Sequence, residues 1–322
     1  MSGSQTVRIG LIGSGPFVPL ARAAWERVPD VELVGVADIA RYRDLLEKTS
    51  LDGVEILIDP AAHRDVVEFA AAQGKHVALH KPLALSLESA QAIAAAVKKS
   101  RMRAVVFDPL MFHPFVARAA ELLADGQIGE IQMLRIKSHA GGQGGFGPGL
   151  DPGRLNNPTH AMLLEWPFDK AALIERLMGP VVEVFCYGGP NTRMASFKFR
   201  ADGRYGVHEA VYSPGLLVQS EAAATDDTLE ITGTDGILWL HNLTATMVEA
   251  PKLMLKRKEV VTVWDDRVEY DQPHIQTGMR EHFAAVIRGA VEPSHSLEEA
   301  QQALRLNLAT EQAIGQAQAK SI

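Results

Sequence analysis

The first third of the chain alternates short runs of β-branched residues with stretches that have helical spacing. The apolar runs are expected as strands at 7–12, 31–37, 54–58, 77–79 and 105–107. Helical patterns separate them at about 16–28, 40–48, 61–73, 86–99 and 114–124. Buried strands that alternate with helices form right-handed βαβ units around a parallel sheet. The alternation therefore predicts a doubly wound, Rossmann-type α/β domain over residues 1–125.

The pattern changes after Gly126. A strand at 131–138, a glycine-rich segment at 141–149 and a helix over about 160–178 come first. Between 181 and about 264, short strands are joined by turn signals such as Ala201-Asp202-Gly203 and Thr234-Asp235-Gly236. Helical patterns at about 275–289 and 296–318 close the chain. We predict an α+β domain with an antiparallel sheet over residues 126–295.

Size and charge limit the function classes. The 322 residues suffice for two domains with buried cores, and the formal charge of -7 gives no basic face for nucleic acid or an anionic membrane. No apolar run approaches the roughly 20 residues of a membrane span, and the N-terminus lacks a signal-peptide pattern. The single cysteine, Cys186, lies in an apolar stretch and is expected to be a buried small hydrophobe. We therefore expect a soluble cytoplasmic protein.

The first strand runs directly into a glycine-containing turn and a helix. Gly13, Gly15 and Val18 occupy the G-x-G-x-x-G spacing, with Val18 in place of the third glycine. The first glycine permits the tight turn, the second lets the backbone approach a pyrophosphate, and the helix start presents N–H groups to that anion. We expect Gly13, Gly15, Pro16 and Phe17 to contact a dinucleotide.

Asp38 ends the second strand, roughly 20 residues beyond the turn, where dinucleotide-binding folds place an acid. A carboxylate there accepts hydrogen bonds from the adenosine ribose and repels a 2′-phosphate, which favours NAD over NADP. Two alternatives stay open. Asp38 can cap the segment that follows it, and Arg41 or Arg43 can pair with a 2′-phosphate. The expected cofactor is NAD, with NADP possible.

Several segments together resemble the glucose–fructose oxidoreductase / inositol dehydrogenase (Gfo/Idh/MocA) family. They are RIGLIGSG, VELVGVADIA, GVEILIDPAAHRDVVEFAAAQGKHVALHKPLAL, ADGQIGEIQMLRI, ITGTDGILWL and EEAQQALRLNLATEQAI. The third segment is the most specific, because its features keep their order and spacing. The resemblance implies a Rossmann domain and a C-terminal α+β domain with a large open, mostly antiparallel sheet. It further implies a homodimer or homotetramer formed through that sheet, and a last helix, about 296–320, that packs back on the first domain.

The resemblance also implies a reaction, in which a hydride moves between a nicotinamide and a hydroxyl-bearing carbon of a sugar or polyol. Lys81 follows the fourth strand, at the sheet edge where ligands bind in parallel sheets. By resemblance it is the lysine that contacts the reacting hydroxyl. His80 stands where the family has glutamate. An uncharged imidazole anchors the lysine or the nicotinamide ribose only weakly, and an imidazolium would repel Lys81. The alternative is that histidine replaces the family's glutamate here without a functional effect.

The family's catalytic helix, laid on this chain, places Glu165 at its aspartate and Asp169 at its histidine. Residues four apart share a helix face, so the two carboxylates can hold a polyol and pair with Lys81, and Asp169 is a candidate acid/base. The alternative is an acidic flank in solvent. His160, just before the helix, either supplies the missing imidazole or caps the helix.

Four more residues are candidates for cofactor binding. Asp59 and Pro60 precede His63 at the start of the third crossover helix, a position that the resemblance places near the nicotinamide. His63 can instead satisfy the helix end. His113 opens the fifth helix and is expected to approach the cofactor. The sequence has no H-x-x-x-H, H-E-x-x-H or C-x-x-C pattern, so no metal site is expected.

Three functions follow from these residues. The leading one is an NAD(P)-dependent oxidoreductase acting on the CH–OH group of a sugar, polyol or related small molecule. The second is a redox-assisted lyase or glycosidase, which would turn over substrate with no net change in reduced nicotinamide. The third is a non-catalytic dinucleotide-sensing regulator, whose partner binding would survive replacement of Lys81 by Ala.

Overall fold

The computed structural model describes residues 6–15, 17–141, 170–189, 191–213, 225–241, 250–264 and 272–314. The chain divides into two compact units. Unit 1 comprises Met1–Phe112 with Glu269–Leu304, and unit 2 comprises His113–Val268 with Arg305–Ile322. Our expected second domain ran from 126 to 295, so the structure groups its last part with unit 1 instead.

The helices of the described residues are α1 (Phe17–Trp25), α2 (Tyr42–Lys48), α3 (His63–Ala72), α4 (Leu87–Ser100), α5 (Pro114–Ala124), α6 (Ala171–Met178), α7 (Gln272–Ile287) and α8 (Leu297–Ile314). The strands of unit 1 are β1 (Val7–Gly13), β2 (Val31–Ala37), β3 (Gly53–Leu57), β4 (His76–His80) and β5 (Ala104–Phe107). Each of these five strands lies within one residue of its predicted ends. None of the described helices is long and apolar enough to cross a membrane.

The strands of unit 1 form a parallel sheet in the order β2-β1-β3-β4-β5. This confirms the Rossmann-type α/β prediction. The chain runs from β1 through α1 to β2 on one side, and from β3 through α3 to β4 on the other. The order therefore reverses between β1 and β3, and a ligand crevice forms at the carboxyl ends of the strands at such a point.

One face of this sheet is packed against α1 and α7. The buried cluster there contains Trp25 of α1, Ala78 of β4, Phe107 of β5, and Met279 and Phe283 of α7. These contacts explain why α7 belongs to unit 1 rather than to unit 2.

The helical spacing of residues 16–28 predicts that Phe17, Leu20, Ala24 and Val28 share one inner face. Ala24 and Val28 are buried, but Phe17 and Leu20 are 45% and 58% exposed, so half of this prediction was wrong. The buried residues of α1 itself are Ala21, Ala24 and Trp25. The helix turns this way because the indole of Trp25 packs edge-on against Phe283 in the core.

Unit 2 is built on an eight-stranded sheet. Its strands are β6 (Ile131–Gly141), β7 (Val181–Gly189), β8 (Thr192–Phe199), β9 (Tyr205–Ser213), β10 (Thr225–Gly233), β11 (Gly236–His241), β12 (Leu253–Arg257) and β13 (Val260–Trp264), in the order β13-β12-β11-β10-β6-β9-β8-β7. Among the described strands of this sheet, only β6 and β9 pair in parallel, which confirms a mostly antiparallel sheet. The turns predicted at Ala201–Gly203 and at Thr234-Asp235 join β8 to β9 and β10 to β11.

Cys186 of β7 is fully buried on this sheet. Its burial raises the pKa of the thiol to about 11. The prediction of a buried cysteine is confirmed.

Candidate functional site

The carboxyl edge of the parallel sheet collects most of the predicted site residues in unit 1. Two of these residues are the last of their strands, Gly13 in β1 and His80 in β4. The others come directly or one residue after a strand: Asp38 after β2, Asp59 after β3 and Lys81 after β4. Asp108 likewise comes directly after β5. The parallel register of the five strands brings these positions to one edge.

The glycine turn has room only for glycine at its first position. A Cβ on Gly13 would lie 2.7 Å from the carbonyl oxygen of Leu57 and 3.2 Å from Cγ2 of Val18. Gly15 has a φ of +105°, which L side chains rarely adopt, and no atom lies within 4 Å of where its Cβ would be. Open space therefore lies in front of Gly15, beside the start of α1 at Phe17. This arrangement fits a dinucleotide diphosphate. Pro16 lies outside the described residues.

Asp38 caps the turn that follows β2. Its Oδ1 accepts hydrogen bonds from the backbone N–H groups of Ala40 and Arg41, both at 3.1 Å. Its Oδ2 lies 3.5 Å from Nη2 of Arg41. The capping alternative is therefore present, and the carboxylate, 41% exposed, is still within reach of a ribose.

The two arginines that could meet a 2′-phosphate differ in their contacts. The guanidinium of Arg43 stacks over the ring of Phe69 at 4.3 Å and lies 5.4 Å from the ring of Tyr42. Arg41 is 73% exposed and pairs with Asp38. Both arginines are exposed, with Arg43 engaged by aromatic rings and Arg41 by the Asp38 carboxylate.

Asp59 and His63 stabilise the backbone around the end of β3. Asp59 Oδ1 accepts from the N–H of Ala61 at 2.9 Å, which caps the 3₁₀ turn Pro60–Ala62. His63 is fully buried, and its burial lowers the pKa of the imidazole to about 4. The neutral ring donates from Nδ1 to the carbonyl oxygen of Leu83 at 3.1 Å. His63 therefore fixes the segment immediately after Lys81.

Lys81 is held on two sides. Its backbone N–H donates to the carbonyl oxygen of Phe107 at 3.1 Å, and its Nζ lies 4.0 Å from Oδ2 of Asp108. Asp108 is buried, and its Oδ1 accepts from the N–H of Leu110 at 3.0 Å. Our sequence reasoning missed Asp108. The available signal was an acid directly after β5, in the position that Asp38 occupies after β2.

His80 contacts a buried carboxylate that the sequence analysis also missed. Glu55 of β3 is fully buried, and its Oε1 accepts from Nε2 of His80 at 2.7 Å. Arg280 of α7 donates to the same carboxylate from Nη2 at 2.5 Å and from Nε at 3.1 Å, and Trp25 donates from Nε1 at 2.5 Å. Burial alone would raise the pKa of the Glu55 carboxyl, but the charge of Arg280 and the hydrogen bonds from His80 and Trp25 lower it. Glu55 is therefore an ionised acceptor inside the sheet.

The remaining predicted residues either belong to unit 2 or lie outside the described residues. His113 belongs to unit 2, is buried, and caps α5 by accepting at Nδ1 from the N–H of Phe115 at 3.3 Å. His160, Glu165 and Asp169 lie outside the described residues, so their roles stay predictions.

Unit 2 carries a second buried polar cluster, which the sequence did not indicate. Lys170 immediately precedes α6, and its Nζ lies 3.2 Å from Oδ2 of Asp227 on β10. On neighbouring strands, Nε2 of His208 lies 3.2 Å from Oγ of Ser138, and its Nδ1 lies 3.4 Å from Nη2 of Arg193. Burial, together with the charges of Arg193 and Lys170, lowers the pKa of His208 well below its usual value. The imidazole of His208 is therefore neutral.

Comparison with known proteins supports the assignment of unit 1. Residues 31–107 match the family described as oxidoreductase family, NAD-binding Rossmann fold. The chain is 24% identical over 269 residues to the uncharacterised oxidoreductase YrbE of Bacillus subtilis, covering 76% of this chain and 77% of YrbE. It is 29% identical over 150 residues to inositol 2-dehydrogenase of Rhizobium meliloti, covering 42% of this chain and 46% of that enzyme.

The fold is shared with solved structures over nearly the whole chain. A putative NADPH-dependent oxidoreductase from Desulfitobacterium hafniense superposes with a TM-score of 0.77 at 19% identity and covers 96% of both chains. The likeness to the Gfo/Idh/MocA family model, oxidoreductases with an NAD-binding Rossmann fold, thus covers strands β2 to β5 of unit 1.

Proposed function

We propose that the chain is an NAD(P)-dependent oxidoreductase that moves a hydride between a nicotinamide and a hydroxyl-bearing carbon of a sugar, polyol or related small molecule. The observation that carries this proposal is the shared sheet edge. It places the open glycine turn after β1 and the ammonium-bearing segment after β4 on the same side of unit 1.

The residues that follow β1 and β2 at this edge bind the cofactor. The backbone at Gly13 and Gly15, with the start of α1, binds the diphosphate. The exposed carboxylate of Asp38 accepts from the adenosine ribose, which favours NAD, while the exposed Arg41 and Arg43 are the cations that could meet a 2′-phosphate. When bound, the nicotinamide supplies the hydride acceptor or donor.

Lys81 acts on the reacting oxygen. Its ammonium donates to the substrate hydroxyl or carbonyl and stabilises negative charge that develops there. Asp108 and the backbone bond to Phe107 hold the lysine, and His63 fixes the chain just beyond it. The lysine therefore presents its ammonium from a rigid segment, and a fixed donor is what orients a substrate hydroxyl for reaction.

The likeness to inositol 2-dehydrogenase supports a polyol as substrate. From the resemblance, Glu165, Asp169 and His160 are proposed as polyol contacts. We further propose a cytoplasmic homodimer or homotetramer formed through the large sheet.

The test combines cofactor binding with a substrate panel. Calorimetry with NADH and NADPH should detect binding, with NADH the tighter ligand. A panel of polyols, sugars and their keto forms should then change reduced-nicotinamide absorbance. Turnover without such a change would instead assign the redox-assisted elimination, and cofactor binding without turnover would assign the sensor.

A matched pair of lysine variants tests the site itself. Lys81→Met should lower kcat/KM by about 10²-fold or more, because it removes a donor to the reacting oxygen. Lys75→Met is the control, since Lys75 Nζ donates to the carbonyl oxygen of Leu51 at the opposite edge of the same unit, at 3.0 Å. Equal activities of the two variants, or no nicotinamide binding by the wild type, would overturn the proposal.

A further inference from the structure

The carboxylate of Glu55 lies deep in the parallel sheet, yet one of its partners reaches the candidate site. Glu55 and Arg280 are 0% and 1% exposed. His80, by contrast, is 22% exposed and immediately precedes Lys81 at the carboxyl edge. The network therefore connects the core under α1 and α7 to the site edge through one imidazole.

Charge neutralisation does not explain why His80 joins this network. Arg280 already supplies a full positive charge to Glu55 through two hydrogen bonds, and Trp25 adds a third. A neutral imidazole is enough to complete the coordination of the carboxylate. The contribution of His80 is therefore directional, since the bond fixes the orientation of its ring.

The acceptor determines which ring nitrogen carries the proton. An ionised carboxylate can only accept hydrogen bonds, so Nε2 of His80 must donate to Oε1 of Glu55. In the neutral ring, Nδ1 then bears a lone pair. Within the described part of the chain, Nδ1 has no hydrogen-bond partner, and the ring packs edge-on against Phe107 at 5.5 Å. A buried carboxylate that fixes the tautomer of an imidazole leaves its second nitrogen able to act as a base.

We propose that His80 transfers the proton of the reaction at Nδ1, and that Glu55 is the positioning residue that holds the ring for this task. This inference rests on the proposed oxidoreductase function. It assigns the base to the residue beside Lys81, whereas the sequence analysis placed the acid/base on Asp169.

The step balances in the direction of alcohol oxidation. The C–H bond of the substrate breaks, and its electron pair passes with the hydrogen to the nicotinamide, which is reduced. The O–H bond breaks, its proton forms an N–H bond with Nδ1 of His80, and the carbon–oxygen bond becomes double. The imidazolium is stabilised by Glu55 and then returns its proton to water.

The tautomer is directly measurable in the full chain without substrate. Long-range ¹H–¹⁵N spectra of ¹⁵N-histidine-labelled protein distinguish protonated from unprotonated ring nitrogens, and His80→Gln assigns the His80 signals. We expect Nε2 protonated and Nδ1 unprotonated, with the Nδ1 signal shifting when NAD⁺ is added. The signals of His76, at the far end of β4, should not shift. A proton on Nδ1 in the neutral ring, or an Nδ1 signal indifferent to NAD⁺ that binds, would overturn the inference.

Removal of Glu55 tests its positioning role. In Glu55→Gln the side-chain amide can donate as well as accept, so the Nε2–H tautomer of His80 should lose its predominance. Unchanged His80 spectra in a folded Glu55→Gln protein would contradict the role of Glu55. If this variant does not fold, the wild-type spectra still decide the tautomer.

Activity supplies the second measurement. With the substrate found in the panel, His80→Ala should lower kcat by about 10²–10⁴-fold while NADH affinity stays close to wild type, and added imidazole should restore part of kcat. His76→Gln is the matched control and should retain kcat. A His80→Ala protein with wild-type kcat would refute the inference and leave the proposed function intact, whereas a wild type that does not bind NADH would refute the function itself.

Discussion

Replacement of Arg280 by Met should strongly destabilise unit 1. The substitution removes both guanidinium hydrogen bonds to Glu55 and the bonds from Nη1 to the main-chain oxygen and Oε1 of Gln276, at 2.8 and 2.9 Å. It leaves the Glu55 carboxylate charged within the sheet. Breaking a buried ion pair on one side typically costs about 3–5 kcal/mol, because an uncompensated charge stays behind.

An exposed ion pair of the same length provides the control. Arg8 Nη1 lies 2.5 Å from Oε2 of Glu32, the separation that also joins Arg280 to Glu55, but these two side chains are 38% and 50% exposed. Arg8→Met should therefore lower the free energy of unfolding by less than about 1 kcal/mol. Arg8 also donates from Nε to the carbonyl oxygen of Ser50 at 2.9 Å, so both substitutions remove further hydrogen bonds and the two ion pairs differ chiefly in burial.

The assay is denaturant unfolding followed by fluorescence of Trp25, which donates to Glu55 and so reports on this network. The other three tryptophans, Trp166, Trp239 and Trp264, are replaced by Phe in every variant. The double variant Glu55→Leu/Arg280→Met should recover most of the loss, because replacing both partners with apolar residues removes the orphaned charge. The reasoning would be refuted if Arg280→Met and Arg8→Met lowered the free energy of unfolding equally. It would also be refuted if the loss in the double variant equalled the sum of the losses in the two single variants.

Four further predictions address single residues. Burial lowers the pKa of His63 from 6.5 to about 4, so the contribution of its neutral ring to the free energy of unfolding is fully present above pH 6.5 and falls, by up to about 3 kcal/mol, as the pH drops towards 4. Urea unfolding of His63→Gln at several pH values should lack this pH-dependent loss. Gly15→Ala should raise the NADH Kd by about tenfold or more, whereas Gly74→Ala, also at positive φ (+69°), should lower Tm with Kd unchanged; equal Kd values in calorimetry would contradict this. Cys186 should react with a thiol reagent far more slowly in the native protein than in denaturant, and equal rates would contradict its burial. Asp38→Ala should shift the ratio of NADH to NADPH affinity towards NADPH, and an unchanged ratio would show that Asp38 only caps its turn.

The strands of unit 1 were predictable because each is a short apolar run bounded by turn signals. The parallel order followed from their alternation with helices, and the turn after β1 was evident from Gly13 and Gly15 together with the strand before them. The same local signals defined the hairpin turns of unit 2 at Ala201–Gly203 and Thr234-Asp235.

Long-range polar pairing was not predictable in this way. Glu55 interrupts the run VEILI, but its partner Arg280 is 225 residues away, and nothing near either residue indicates the other. Two buried residues of α1, Ala21 and Trp25, were missed for a related reason. The periodicity treats all apolar residues alike, whereas Trp25 both packs in the core and donates its indole N–H to Glu55.

The boundary of unit 1 depended on tertiary packing as well. The helical pattern of α7 was visible in the sequence, but its assignment to unit 1 comes from Met279 and Phe283 in the cluster with Trp25 and Phe107. No feature of residues 275–289 specifies which sheet they cover.

The most direct test of the central claim is a crystal structure of the chain grown with NAD⁺. The account predicts a diphosphate at the turn of Gly13 and Gly15 and a nicotinamide ring beside Lys81 and His80. A dinucleotide whose nicotinamide ring lies away from these two side chains would contradict it.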